Sequence, residues 1–409
     1  MNENEIKKLF DLVYPYENLK RNKKEDKLWE DTALCSGYPG VILFISDYLK
    51  KKNLEGSIDQ YVQKMIDAYN NMRTIDLSLF SGLSGVSFAL SIIDYNKYES
   101  LINQSTNYII DNLMIFTNAI DEDDLKFEDY DLMSGLCGIL LYLIYYYHKK
   151  PSKRLLNKIE LSINKLLLIY DKNKFFVKSQ YFFTEVEQKN YPNGGFNIGL
   201  SHGITGFLAV LIKYSDITNI NHRTKINNYK NKIYNDLISD GYNSHERYVW
   251  PQIKTNSFCK NEYAFFDSWC YGPPSIIYHL YKVAKENHRI NDKTMFEEMM
   301  KNIAKDIQGI TSPSFCHGYA GLLTIFIEFN KLAGKEIIEE NILNSISEKI
   351  MEFYNHNDFP FYENHYDIDS GRKYRFKDLG LLTGISGIGL SLLHLQNQNS
   401  LQWFQVFTL

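Results

Sequence analysis

The chain lacks several features that would place it at once in a large class of proteins. Its 409 residues carry a formal net charge of −4 at pH 7 with no sign of a basic patch, so nucleic acid is a poor candidate partner. The N-terminus, Met1-Asn2-Glu3-Asn4-Glu5-Ile6, has no apolar core of a signal peptide. The longest apolar run, residues 137–147, is about half of what a bilayer span needs. These absences predict a cytoplasmic protein.

Cysteine is also scarce. The chain has five cysteines, an odd number spread thinly along the sequence. In a reducing compartment, cysteines serve more often as metal ligands, catalytic groups or core residues than as disulfide partners.

The strongest pattern that is present is an internal repeat. A glycine, two further residues and a second glycine recur along the chain, each time before an apolar segment. We call the first glycine of each copy the motif glycine and number the repeats 1 to 7 in chain order. The copies are Gly37-Tyr-Pro-Gly40, Gly82-Leu-Ser-Gly85, Gly135-Leu-Cys-Gly138, Gly203-Ile-Thr-Gly206, Gly272-Pro-Pro-Ser275 (which has lost its second glycine), Gly318-Tyr-Ala-Gly321 and Gly384-Ile-Ser-Gly387.

The segments around the motifs predict helices. Those after the motif are apolar on nearly every side, as in buried helices, whereas residues 153–170 and 336–354 are amphipathic. Each repeat is therefore predicted to be a helix pair. The uneven spacing and the same motif at both ends favour a closed ring, because a solenoid keeps a stricter period and has capping repeats. The predicted fold is all-α, an α/α toroid of seven helical hairpins with an inner barrel and an outer ring, in one domain over residues 1–409.

Three stretches do not follow the helical pattern, around residues 171–195, 241–268 and 355–380. The first two contain runs rich in aromatic and β-branched residues, and the third contains a long polar and aromatic loop. We interpret them as insertions at the mouth of the barrel, with room for a small β element.

Side chains able to perform chemistry stand directly before the motif glycines. Cys270 and Cys316 each lie two residues before a motif glycine, in consecutive repeats. His317 follows Cys316, and His202 holds the matching place in repeat 4. Asp131 offers a carboxylate just before repeat 3. Neighbouring helix pairs in a ring would bring these positions together at one mouth.

Cys270, Cys316 and His317 form a Cys₂His set. Three protein ligands with one open position are the pattern of a catalytic zinc site, and two thiolates with an imidazole suit zinc. The alternative is that both cysteines are buried and behave as small hydrophobes. Cys35 also lies two residues before its motif glycine, but its repeat is not next to repeats 5 and 6, so we do not count it as a ligand.

The motifs together resemble a known family. Ser201-His202-Gly203, Trp269-Cys270-Tyr271-Gly272 and Cys316-His317-Gly318, set on a sevenfold glycine-marked helical repeat, resemble the lanthionine synthetase C-like cyclases. The resemblance runs from Gly37 to Leu393. It implies a stand-alone cyclase of the class I lanthipeptide pathway. Such cyclases add a cysteine thiol of a precursor peptide to a dehydroalanine or dehydrobutyrine, which forms a lanthionine or methyllanthionine thioether ring.

The resemblance also implies roles for single residues. The Cys₂His set would hold zinc, with water or a substrate thiol as fourth ligand, and zinc binding removes the thiol proton to give a nucleophile. Addition to the alkene gives an enolate that needs a proton, and His202 is the candidate to move it. Asp131 matches the family's acidic residue and would orient His202. Tyr271 would donate a hydrogen bond to the enolate oxygen.

Each of these three residues has a structural alternative. His202 could satisfy a turn carbonyl, Asp131 could cap the glycine turn, and Tyr271 could be a packing residue.

One position departs from the family pattern. The family carries an arginine four residues before its first cysteine ligand, where this chain has Phe266. Arg372 or Arg375, ahead of repeat 7, could substitute; otherwise the enzyme is specialised or impaired.

Two other functions stay open. The missing arginine favours a non-catalytic, zinc-containing toroid that binds thiols or a modified peptide, whereas His202 and Asp131 oppose it. A terpenoid- or glycan-processing toroid would need acidic clusters in the barrel, but the run 121–124 stands in a polar stretch typical of a solvated loop.

The resemblance implies partners as well. The substrate would be a dehydrated precursor peptide. A dehydratase and a peptide exporter are further candidates, at a biosynthetic complex on the membrane surface.

Overall fold

The computed structural model describes residues 3–244, 247–255, 266–367, 372–396 and 401–409. The chain divides into two compact units. The first combines the two ends of the chain, Met1–Ile102 with Ile310–Leu409, and the second is the continuous stretch Asn103–Gly309.

Helices dominate the described part of the chain, with seven short strands between them. None of the described helices is long and apolar enough to cross a membrane. The helices before the second unit are α1 (Glu3–Val13), α2 (Tyr16–Asn22), α3 (Tyr38–Lys52), α4 (Asp59–Asn70) and α5 (Leu83–Asp94). Helix α6 (Glu99–Ala119) begins in the first unit and lies mostly in the second. Those that follow in the second unit are α7 (Phe127–Tyr130), α8 (Leu136–Lys149), α9 (Lys153–Asn173), α10 (Glu185–Asn190), α11 (Ile204–Ile217), α12 (Ile220–Asp240), α13 (Pro273–Glu286) and α14 (Ile290–Lys305). The first unit resumes with α15 (Tyr319–Ala333), α16 (Glu340–Glu352) and α17 (Ile385–Gln396).

Every motif glycine is followed directly by a helix, as the repeat predicts. These motif helices are α3, α5, α8, α11, α13, α15 and α17. Their first turns are almost wholly buried, because the apolar residues cover all sides. The amphipathic helices between them, such as α9 and α16, bury one face only. The predicted pairing of a buried helix with an amphipathic one is confirmed.

Repeat 7 completes its pair in a way that the sequence did not reveal. After α17, the described residues hold only a short 3₁₀ segment, Trp403–Phe407. Helix α1, from the start of the chain, packs against α17 instead. The amphipathic pattern of α1, which buries Ile6, Leu9 and Val13, provides the apolar face for this contact.

A polar side chain six residues before the motif glycine shapes the turn in repeats 2, 4, 6 and 7. In four repeats this side chain accepts a hydrogen bond of 2.7–3.1 Å from the backbone amide two residues further on. Short polar side chains favour such turns because they replace a backbone acceptor. The residues are Asp76, Asn197, Ser312 and Asp378.

A hydroxyl two residues after the motif glycine closes the turn from the helix side. Ser84, Thr205 and Ser386 each donate to the backbone carbonyl five residues before the glycine, at 2.5–2.6 Å. Because these hydroxyls lie in the first helical turn, each bond ties the helix to the segment that leads into it.

The second glycine of the motif is required by a close backbone approach. A Cβ added to Gly40, Gly85, Gly206 or Gly387 would lie 1.9–2.4 Å from the carbonyl oxygen six residues earlier. Repeat 5, which has Ser275 at this place, uses a different turn, since Gly272 has φ of +104° and only glycine adopts such a value readily.

Backbone hydrogen bonds join consecutive turns within the first unit. The residues that make them lie two positions before their motif glycines. The amide of Cys316 donates to the carbonyl of Leu382 (2.8 Å), that of Leu382 to Cys35 (2.9 Å), and that of Cys35 to Phe80 (3.0 Å). Repeat 7 is thereby joined to repeat 1, which is the contact that a closed array makes and an open solenoid lacks.

A similar set of backbone hydrogen bonds joins repeats 3 to 5 in the second unit, where Leu132 lies three residues before its motif glycine and Ser201 and Cys270 lie two residues before theirs. The amide of Leu132 donates to the carbonyl of Ser201 (3.0 Å), and the amide of Ser201 donates to the carbonyl of Cys270 (3.3 Å). Helix α11 packs between α8 and α13. The three turns therefore lie side by side in chain order.

The three predicted insertions contain the strands. In the described ranges these are β1 (Phe176–Val177), β2 (Gly195–Asn197), β3 (Tyr242–Ser244), β4 (Arg247–Val249), β5 (Ile253–Lys254), β6 (Tyr362–Asp367) and β7 (Arg372–Lys377). They form a three-stranded sheet in the order β1-β2-β5 and two antiparallel pairs, β3-β4 and β6-β7. The predicted β element is confirmed, although residues 256–265 of the second insertion lie outside the described part.

The close approach at the second glycine gives a testable prediction. Replacing Gly387 with alanine should lower the free energy of unfolding by about 1–3 kcal/mol, because the new Cβ overpacks a fixed turn. The loss should appear in denaturant unfolding monitored by circular dichroism.

Gln60, exposed on α4, provides the control, and Gln60→Ala should change the unfolding free energy by no more than about 0.5 kcal/mol. Equal stability of the Gly387→Ala variant and the wild type would show that the turn has room for a side chain.

Candidate functional site

His202 and Asp131 form a close pair in the second unit. The Nδ1 atom of His202 lies 2.5 Å from Oδ2 of Asp131. The aspartate side chain is 2% exposed and the histidine side chain is 21% exposed. A buried carboxylate on one ring nitrogen orients the imidazole and leaves the other nitrogen, Nε2, for proton transfer.

Asp131 is held in place by the turn on which it lies. Its Oδ1 accepts hydrogen bonds from the backbone amides of Ser134 (2.7 Å) and Gly135 (2.9 Å). Asp131 therefore caps the turn before α8 with one oxygen and contacts His202 with the other. The same carboxylate thus makes the contacts that both alternatives require.

The backbone of His202 is fixed from the neighbouring repeat. The hydroxyl of Tyr130 donates to the carbonyl of His202 at 2.9 Å. The hydrogen bond from the backbone amide of Leu132 to the carbonyl of Ser201 holds the residue before His202. Both the ring and the main chain of His202 are thus positioned by the turn of repeat 3.

Aromatic rings surround the imidazole. The ring centroid of Phe183 lies 4.6 Å from that of His202, and those of Phe127 and Tyr271 lie 6.1 and 6.3 Å away. Phe183 stacks on Phe127 and is still 54% exposed. Sequence reasoning did not single out Phe183, since it comes from the insertion rather than from the repeat.

Cys270 lies on the turn next to that of His202. Its carbonyl accepts the amides of Leu200 (3.0 Å) and Ser201 (3.3 Å). Its thiol is buried, and Sγ lies 3.5 Å from the hydroxyl of Ser268. The structure therefore brings the turns of Asp131, His202 and Cys270 together, as the matched repeat positions predicted.

Tyr271 contacts the segment that leads to His202. The side-chain amide of Asn197 donates to the hydroxyl of Tyr271 at 3.3 Å. A Cβ on Gly199 would lie 2.5 Å from the ring of Tyr271. Desolvation raises the pKa of Tyr271.

An arginine that the sequence did not suggest holds the Cys270 turn. Arg247, on β4, forms a 2.7 Å ion pair with the buried Asp267, three residues before Cys270. Asp267 also accepts the amide of Gln308 at 2.7 Å. The burial of Asp267 raises its pKa.

The arginines proposed to replace the family arginine have other surroundings. Phe266, at the family position, is 39% exposed. The guanidinium carbon of Arg375 lies 4.7 Å from the ring centroid of Tyr362. The side chain of Arg372 lies outside the described part of the structure.

Cys316 and His317 belong to the first unit. Phe315, the residue before them, is buried and stacks on Phe407 with ring centroids 3.8 Å apart. The hydrogen bond from the backbone amide of Cys316 to the carbonyl of Leu382 anchors the turn. Both candidate ligands are thus presented by a segment that is fixed on one side by a stacked aromatic pair.

His317 has a carboxylate partner of its own. Its Nε2 lies 3.0 Å from Oε1 of Glu363, on β6. The side chain of His317 is 42% exposed and that of Glu363 is 11% exposed. Sequence reasoning placed residue 363 in an insertion and assigned it no role.

Two further cysteines of the described residues, Cys35 and Cys137, have thiols with raised pKa values. Burial raises the pKa of the Cys35 thiol and raises that of Cys137 well above its ordinary value. These environments disfavour the thiolate that a metal requires.

The three predicted zinc ligands fall into two groups. Cys270 lies in the second unit, whereas Cys316 and His317 lie in the first. Within either unit, the described residues contain no group of three or more His, Cys, Asp or Glu side chains close enough to hold a metal ion. The shared metal site therefore stays a prediction.

The acidic run 121–124 is engaged with lysines. Glu122 pairs with Lys165 (2.7 Å), and Asp123 pairs with Lys172 (2.8 Å). Asp124 pairs with Lys178 (2.6 Å). Such ion pairs at the surface are what the solvated-loop interpretation predicted.

Comparison with known proteins assigns the family. Residues 28–408 match the sequence profile described as lanthionine synthetase C-like protein. The nisin biosynthesis protein NisC of Lactococcus lactis subsp. lactis is 26% identical over 383 residues, which cover 87% of this chain and 88% of that protein. The solved structure of nisin cyclase superimposes with a TM-score of 0.80 at 23% identity, covering 99% of this chain and 97% of that one. This likeness confirms the predicted fold class, an α/α toroid. Since the profile spans nearly the whole chain, the protein belongs to the lanthionine synthetase C-like family of cyclases.

Proposed function

We propose that the protein is a zinc-dependent cyclase that forms lanthionine or methyllanthionine rings in a precursor peptide. The observation that carries the proposal is the Asp131–His202 pair, which lies on the turn adjacent to that of Cys270. A buried carboxylate that orients a partly exposed imidazole is an arrangement for moving a proton.

Cys270, Cys316 and His317 are the residues that would hold the zinc ion. Two thiolates and one imidazole are a donor set that zinc accepts, and they leave one coordination position open for a substrate. When bound, zinc keeps a thiol deprotonated at neutral pH and so supplies the nucleophile.

His202 would deliver the proton that completes the addition. When the peptide thiolate adds to the dehydro residue, a carbon–sulfur bond forms and the electron pair of the alkene passes to an enolate. Because Nδ1 is held by Asp131, the protonated ring donates from Nε2 to the enolate carbon. The carboxylate of Asp131 stabilises the charged imidazole before that transfer.

Tyr271 would stabilise the same enolate. A phenol is protonated at neutral pH, and a hydrogen bond from it to the developing oxyanion lowers the barrier. Asn197, which donates to the phenol oxygen, fixes the direction of that hydroxyl.

The substrate of this reaction would be a dehydrated precursor peptide. The exposed ring of Phe183 beside His202 offers an apolar contact to the residues that flank the dehydro position. The dehydratase that makes this substrate and the exporter that removes the product are the partners we propose, and the cytoplasm is the proposed location.

The second candidate function is a zinc-containing toroid that binds thiols or a modified peptide without turnover. The replacement of the family arginine by Phe266 favours it, whereas the intact Asp131–His202 pair favours catalysis.

The zinc proposal predicts one zinc ion per chain. We expect protein purified without chelator to contain one equivalent by plasma mass spectrometry, and Cys316→Ala to contain almost none, because two ligands do not retain zinc against dilution. Cys35→Ala is the matched control. It removes a thiol at the same repeat position and should keep the metal.

If the folded wild type binds no zinc even after zinc is added, the proposed ligand set is overturned. Loss of the metal from Cys35→Ala would instead show that the wrong cysteine was assigned.

The proposed proton transfer predicts a loss of rate without loss of metal. His202→Asn should slow cyclisation of a dehydrated peptide by roughly 100- to 10,000-fold, and Asp131→Asn should give a smaller loss because the imidazole loses its orienting charge. Rates are measured by alkylating the remaining thiols and counting the alkylated thiols by mass spectrometry, with the uncatalysed rate subtracted.

His222→Asn is the control. His222, on α12, also contacts a carboxylate, since its Nε2 lies 3.3 Å from Oε1 of Glu160 on α9. If the wild type binds zinc and cyclises no peptide, the binding toroid becomes the better description.

A further inference from the structure

Glu363 reaches the turn of repeat 6 from the hairpin β6-β7. Its Oε1 lies 3.0 Å from Nε2 of His317, and its Oε2 lies 3.3 Å from the hydroxyl of Ser312. Ser312 is the residue that shapes this turn, since its hydroxyl accepts the amide of Ser314 at 3.1 Å. The carboxylate therefore bridges the turn residue and the candidate ligand.

The hairpin holds the carboxylate close to these partners. Glu363 pairs with Phe376 in the antiparallel register of β6 and β7, and its side chain is 11% exposed. Burying a carboxylate is unfavourable unless hydrogen bonds compensate for the lost water. The imidazole and the Ser312 hydroxyl provide that compensation.

The contact selects one tautomer of His317. A carboxylate accepts hydrogen bonds, so Nε2 carries the proton and the lone pair belongs to Nδ1. Nδ1 is also the ring nitrogen nearer the main chain. It suits a ligand whose sequence neighbour, Cys316, is to bind the same ion, because the two donor atoms must reach one point from adjacent residues.

His202 shows the opposite arrangement at the same place in the repeat. Both histidines lie directly before a motif glycine. The carboxylate of Asp131 holds Nδ1 of His202, whereas the carboxylate of Glu363 holds Nε2 of His317. A proton-transferring histidine needs its outer nitrogen available, and a metal-ligating one in this dipeptide needs its inner nitrogen.

We infer that Glu363 is a positioning residue for the metal: its carboxylate holds Nε2 of His317 so that the lone pair of Nδ1 is directed at the zinc ion. This inference rests on the proposed zinc site. Carboxylates that hold a ligating histidine in this way contribute about 10- to 100-fold to metal affinity in zinc enzymes.

The test compares zinc affinities of four proteins by competition with a chromophoric chelator. Relative to wild type, Glu363→Gln should bind zinc about 10-fold more weakly and Glu363→Ala up to about 100-fold more weakly. The glutamine carbonyl still accepts from Nε2 but lacks the charge. Asp358→Asn is the matched control, since Asp358 is bonded to Tyr362 of the same hairpin, and its affinity should equal that of the wild type.

Cobalt provides a second readout that general destabilisation does not mimic. The visible spectrum of the cobalt form should shift in both Glu363 variants and stay unchanged in Asp358→Asn, because it reports the ligand field of His317. Unchanged affinity and spectrum in Glu363→Gln, with zinc still bound to the wild type, would overturn this inference and leave the zinc site standing. A wild type that binds no zinc would overturn both.

Discussion

The close approach of helix and turn at the second glycine is the constraint on which the rest of the structure depends. At Gly85, Gly206 and Gly387 a Cβ would meet a carbonyl oxygen well inside contact distance, so the absence of a side chain lets these motif helices lie against their own lead-in segments. That contact sets how closely the lead-in segment packs against the helix. The amides and carbonyls two residues before the motif glycine then pair with the next repeat.

A common turn presents different side chains at equivalent places, and the chemistry follows from which side chain each repeat carries. The position two residues before the motif glycine is apolar in repeats 2 and 7, as Phe80 and Leu382, and holds a thiol in repeats 1, 5 and 6. One position later, His202 and His317 share a backbone setting. They differ in the carboxylate that reaches them: one comes from the preceding repeat and the other from an inserted hairpin. In the proposed function, the carboxylate partner determines which nitrogen of each imidazole is available, for a proton at His202 and for a metal at His317.

The repeat made much of this predictable. Helix starts and the neighbouring turns of repeats 3 to 5 follow from matching positions, because equivalent residues in successive repeats occupy equivalent places. The contact of Asp131 with His202 was expected from the family resemblance instead, since the two residues lie four and one positions before their motif glycines. This comparison could not find Glu363, Arg247 and Phe183. Each comes from an insertion that occurs once, so no other repeat has an equivalent position. The pairing of α1 with α17 was missed for a related reason, as the motif marks only the buried helix of each pair. The relation of Cys270 to Cys316 and His317 rests on the order of the repeats alone.

The bond between Leu382 and Cys35 has a consequence for the order in which the chain can assemble. The second unit, Asn103–Gly309, is continuous, so all of its partners are present once residue 309 has been synthesised. The first unit needs residues more than 300 positions apart, and such distant contacts form slowly because a long loop must close first. During synthesis, α3 therefore lacks its packing partner α17 until repeat 7 has been made. The last repeat to be made is thus the one that covers the first.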